Sequence, residues 1–80
     1  MFERENEIQL HEIISDTLGV DINEINDYTS PESLPEWTSL RHLSLMAAVE
    51  EAFGITLSLD EMNSAQSYKS LRDILGQHLR

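Results

Sequence analysis

The chain has 80 residues, no cysteine, and 5 basic against 15 acidic side chains, for a formal charge of -10. That length holds one small core and no second folding unit, and that charge repels nucleic acid and anionic membrane while favouring basic partners. Without cysteine there is no disulfide framework and no thiol of the chain's own; with no apolar run fit for a signal peptide or a bilayer span, a cytoplasmic protein is expected.

In chain order, Leu10, Ile13, Ile14 and Leu18 recur at spacings of three and four, which predicts a first helix over about Phe2 to Leu18, ended by Gly19. Glu3, Glu5 and Glu7 suit the positive end of its dipole. Val20 to Glu36 lacks sustained periodicity and contains Asn23, Asn26, Asp27, Ser30, Pro31 and Pro35, so a long loop is predicted, with Val20, Ile22, Ile25, Leu34 and Trp37 available to anchor it. Asp21, Asn23 and Glu32 stand at positions one, three and twelve of a possible calcium loop, but Ile25 at five and Asn26 at six break the pattern. Glu7 and His11 share a helix face, and two isolated ligands specify no metal site.

A second helix is marked at both ends. Thr38 or Ser39 supplies a capping oxygen, and Gly54 can take the left-handed conformation that closes it. His42, Leu45, Met46, Val49 and Phe53 fall on one face; Leu40, Leu43 and Ala47 form a second stripe beside Ser44 and Glu51. The first face fills a core and the second can meet a partner. Ile55 to Leu59 alternates apolar and polar residues as a strand does, but a lone short strand has nothing to pair with, so Leu57 and Leu59 are read as loop anchors. Leu59 to Ser64 forms a short third helix, and a fourth begins near the cap Ser67 with Tyr68, Leu71, Ile74, Leu75 and His78 along one face. The expected fold is all-α: three main helices and one short helix in a small four-helix bundle.

Ser39-Leu40 at a helix start, followed by an amphipathic helix that runs into Phe53-Gly54-Ile55, resembles the acyl and peptidyl carrier proteins. The likeness extends over nearly the whole chain, including a long first loop that leads to the serine, and its specific part is Ser39-Leu40 through Ile55. It implies one carrier domain over residues 1–80, free-standing, monomeric and without catalysis of its own. It also implies 4′-phosphopantetheine on Ser39, whose terminal thiol holds acyl groups as thioesters for fatty-acid, polyketide or related biosynthesis. Implied partners are a phosphopantetheinyl transferase, acyl-loading enzymes and acyl-transfer or condensing enzymes, met through Thr38, Leu40, Arg41, Leu43, Ser44, Ala47, Glu50 and Glu51. Thr38 departs from the family, which usually has aspartate there, and Arg41 departs from its acidic partner face.

Two rivals stand beside that expectation. A carrier-like fold that is never modified would serve only as an acidic interaction module. A hydrolase would use Ser39 as nucleophile and His42, three residues on, as base, but no carboxylate is placed to orient the histidine and no oxyanion-hole sequence is visible.

Overall fold

The computed structural model describes residues 2–79. Helix α1 runs Arg4–Leu18, α2 Ser39–Phe53, α3 Leu59–Ser64 and α4 Tyr68–His78, and the described residues contain no strand. The alternating segment before α3 is therefore extended chain without a strand partner, as its isolation requires. Phe2 lies outside α1, which starts two residues later than the periodicity suggests. There the amide of Glu3 donates to Asn6 Oδ1 at 3.2 Å, and the Phe2 ring packs 6.1 Å from that of Phe53. Glycine closes α1 and α2 because both C-caps are left-handed: φ is 69° at Gly19 and 65° at Gly54.

The helical stripes meet in one core. Leu10, Ile14 and Leu18 of α1, Leu45, Met46 and Val49 of α2, and Leu71 and Leu75 of α4 are buried almost completely. Val20, Ile25, Leu34 and Trp37 of the first loop are buried with them, as is Leu57 before α3. Two expected anchors are not: Ile22 lies in a 3₁₀ turn at Ile22–Glu24 with its side chain well exposed, and Leu59, the first residue of α3, is 73 % exposed. A tight turn and a helix start each aim successive side chains in different directions, so only one apolar residue of each local pair reaches the core.

The first loop holds its shape through turns built by its own polar side chains. Asp21 caps the 3₁₀ turn by accepting from the Asn23 amide at 2.8 Å, which gives Asp21 and Asn23 a structural use. Thr29, the buried polar residue of the core, accepts from the Asn26 amide at 2.8 Å and donates to the Glu24 carbonyl, so burial leaves its hydroxyl paired. Its carbonyl then accepts from the Tyr68 amide at the start of α4. Arg72 of α4 fastens the same loop to α4 and α1, with Nη1 2.9 Å from Asp27 Oδ1 and 3.4 Å from Glu7 Oε1. Its guanidinium lies 5.6 Å over the ring of Tyr68, whose phenol burial and the neighbouring Glu7 push up to about 12.

Helix α3 has no fully buried residue and packs on the core through the partly buried Met62. At its start, Glu61 accepts from the Ser58 amide at 2.9 Å and lies 2.8 Å from His78 Nε2. The hydrogen bond from Ser58 lowers the Glu61 carboxyl below its ordinary value of 4.5, against an opposing burial effect and with help from His78. A carboxyl lowered on folding stabilises above its unfolded value, and that contribution is lost as pH falls through the folded one. Acidification from 4.5 downward should therefore loosen the start of α3 before the rest of the bundle. Amide hydrogen exchange at Ser58 checks this; protection that stays constant through that range, or that falls equally in Glu61→Gln, would contradict it.

Candidate functional site

Thr38 is the N-cap of α2, with extended backbone, and its hydroxyl accepts from the Arg41 amide at 3.2 Å. Of the two hydroxyl residues at this helix start, the cap falls to Thr38, and Ser39 becomes the first helical residue. Ser39 is exposed, so its hydroxyl faces solvent with the capping already done by its neighbour. The amides of Ser39 and Leu40 have no intrahelical carbonyl, which leaves donors and the positive end of the helix dipole beside the hydroxyl. A phosphodiester on that oxygen would meet favourable charge.

Ser39 opens onto a cleft of about 310 Å³ lined by Pro31, Trp37, Thr38, Ser39, His42, Leu43, Asn63 and Gln66. The lining combines apolar residues, Pro31, Trp37 and Leu43, with Asn63 of α3 and Gln66 of the turn after it. Asn63, Gln66 and Pro31 were not legible as site residues, because nothing in their local sequence signals that the fold brings them to Ser39.

His42 forms the floor of the cleft. Its Nδ1 accepts from Trp37 Nε1 at 3.0 Å, and its Nε2 lies 2.8 Å from the carbonyl oxygen of Met62. Both ring nitrogens are thus engaged away from Ser39, so the hydrolase reading lacks its base. His42 is half-buried against the core, as its place on the helix wheel suggests.

The outer stripe of α2 is apolar and open: Leu40 is 75 % and Leu43 62 % exposed, with Ser44, Ala47 and Glu51 exposed beside them. Two charged residues expected on this face are turned to structural tasks. Glu50 is half-buried and its Oε2 accepts from the Leu57 amide at 2.8 Å, which fixes the chain after α2. Arg41 donates through Nη1 to the Leu18 carbonyl at 3.0 Å and the Glu36 carbonyl at 3.3 Å, joining the end of α1 to the loop before Ser39. The Arg41 guanidinium is thus directed towards these two carbonyls while the residue stays exposed.

The described residues form a small helical bundle that presents an exposed serine at a helix start, beside a cleft lined by apolar and polar residues. Residues 9–76 match the family model of the phosphopantetheine attachment site, and the chain belongs to that family. Such domains carry 4′-phosphopantetheine covalently on a serine and interact with phosphopantetheinyl transferases and acyl-processing enzymes. A search of curated proteins finds no match. No helix among the described residues is long and apolar enough to cross a membrane.

Proposed function

We propose that the chain is an acyl or peptidyl carrier modified on Ser39. The observation that supports this best is the division of labour at the start of α2: Thr38 caps the helix, and the exposed Ser39 beside it opens onto the cleft. In the modification, Ser39 Oγ attacks the phosphorus of coenzyme A that bears pantetheine. The Oγ–P bond forms, the bond to the bridging oxygen breaks, adenosine bisphosphate leaves with the electron pair, and the hydroxyl proton passes to a base on the transferase. Once attached, the arm supplies a terminal thiol that holds cargo as a thioester. The chain's own residues would hold and present it: the free first amides of α2 would favour the phosphate, and the residues lining the cleft would offer surface to the pantetheine.

The test uses the absence of cysteine. Before treatment with transferase and coenzyme A the protein should show no reactive thiol, and afterwards one per chain. A protein that gains none would favour the unmodified interaction module, for which Thr38 in place of aspartate is the specific support.

In this reading, partners dock on Leu40, Leu43, Ser44, Ala47 and Glu51, with basic surfaces steered by the overall charge of -10. Glu51→Lys should weaken transferase binding several-fold at low salt and flatten its salt dependence, because it reverses an exposed charge that screening already weakens. Glu50→Gln should act mainly on stability through Leu57. Affinity measured across ionic strength checks both; an unchanged affinity and salt slope for Glu51→Lys would remove that residue from the interface.

A further inference from the structure

We infer that the hydrogen-bond chain Trp37–His42–Met62 positions Ser39 for its modification, an inference that rests on the carrier reading above. The indole Nε1–H is a donor only, so the His42 Nδ1 it reaches at 3.0 Å is unprotonated. The neutral ring then carries its proton on Nε2, which donates to the Met62 carbonyl at 2.8 Å. One tautomer satisfies both bonds, and the ring has no polar atom left for other chemistry.

Three segments meet in this chain. Trp37 ends the long first loop two residues before Ser39, and it is 3 % exposed. His42 lies in the first turns of α2, three residues after Ser39, with its ring stacked on the indole at 6.0 Å between centroids and 28° between planes. Met62 belongs to α3, where the next residue, Asn63, lines the cleft. The imidazole thus ties two segments that line the cleft to the start of α2: the loop through Trp37 and α3 through Met62. Helix α3 has no fully buried residue and packs on the core only through the partly buried Met62, so the hydrogen bond to the Met62 carbonyl supplements a small apolar contact. Productive attack needs Ser39 Oγ, the phosphorus and the leaving oxygen in line while the pantetheine end finds room, and a displaced segment misaligns that approach.

His42→Phe keeps a ring of similar shape and removes both hydrogen bonds. In transferase assays with coenzyme A it should load with kcat lowered roughly tenfold, while KM for the carrier changes little because the docking stripe is intact. Trp37 is the only tryptophan, so its emission should shift in the same variant, with circular dichroism unchanged. His42→Gln can accept from the indole and donate to Met62, and should recover kcat to within about threefold of wild type. If His42→Phe does not fold, Trp37→Phe removes the indole donor together with part of the buried ring, and if folded by circular dichroism should show the same loss of kcat. A folded His42→Phe protein that loads at the wild-type kcat, or a Gln variant no better than Phe, would overturn the positioning role while leaving Ser39 as the acceptor. Wild-type protein that takes up no phosphopantetheine would instead overturn the carrier reading on which the role depends.

Discussion

Ser39→Ala is expected to take up no phosphopantetheine and to remain folded. Two independent features set that expectation. The hydroxyl at position 39 is the nucleophile of the proposed transfer, and alanine has no oxygen to bond to phosphorus. The fold, in contrast, draws little from this side chain. Thr38 supplies the cap to the Arg41 amide, Ser39 is exposed, and alanine is the best helix former at an early helical position. The variant should therefore unfold within about 0.5 kcal/mol of wild type. Thr38→Ala should behave in the opposite sense, losing about 0.5–2 kcal/mol with its cap while retaining the acceptor hydroxyl. Intact mass and urea unfolding read the two properties separately. Loading of Ser39→Ala at any rate approaching wild type would show that another residue accepts the group.

The largest effect on stability is expected for Leu45→Ala, at about 2–5 kcal/mol. Leu45 is fully buried on the inner face of α2, one turn past the His42 floor of the cleft. Removing its isobutyl group loses the transfer free energy of the buried methyl groups and leaves a void that α1, α2 and α4 can close only in part. Domains of this size keep only about 5–15 kcal/mol, so the loss is a large fraction of the total. Urea unfolding followed by circular dichroism and by Trp37 emission should give coincident transitions at a much lower midpoint. A change below about 1 kcal/mol would mean that this face of α2 is not the core of the bundle.

Leu45 also shows what was legible in the sequence. Its spacing from Met46, Val49 and Phe53 marked the inner face of α2, and the signals at Thr38 or Ser39 and at Gly54 marked both helix ends, because capping and periodicity are local properties. The same patterns placed Leu40, Leu43 and Ala47 on the other side, where they are exposed. Periodicity failed where the backbone leaves the regular helix. Ile22 and Leu59 are as apolar as Ile25 and Leu57, and only the geometry of the 3₁₀ turn and of the α3 start decides which of them points inward.

Long-range pairing was harder to read. Nothing near Arg41 names the Leu18 carbonyl as its acceptor, 23 residues away, and nothing near Glu50 names the Leu57 amide, so neither bond could be read from the sequence. The cleft was invisible for the same reason: Pro31, Asn63 and Gln66 come from separate segments, and each alone is an ordinary loop or helix-end residue. The motif context singled out Ser39 as the proposed attachment point, yet its separation from the capping role required the backbone. Thr38 and Ser39 both carry the hydroxyl that a cap needs, and only the extended conformation at Thr38 assigns it.

The attachment residue is the central claim, and fragment-ion mass spectrometry tests it most directly. The protein would be loaded with transferase and coenzyme A, digested, and the mass of the added group placed on a single residue. Phosphopantetheine on Ser39, in the peptide that also contains Thr38 and Leu40, is the predicted result. The same group on Ser44, on another serine or on Thr38 would contradict it.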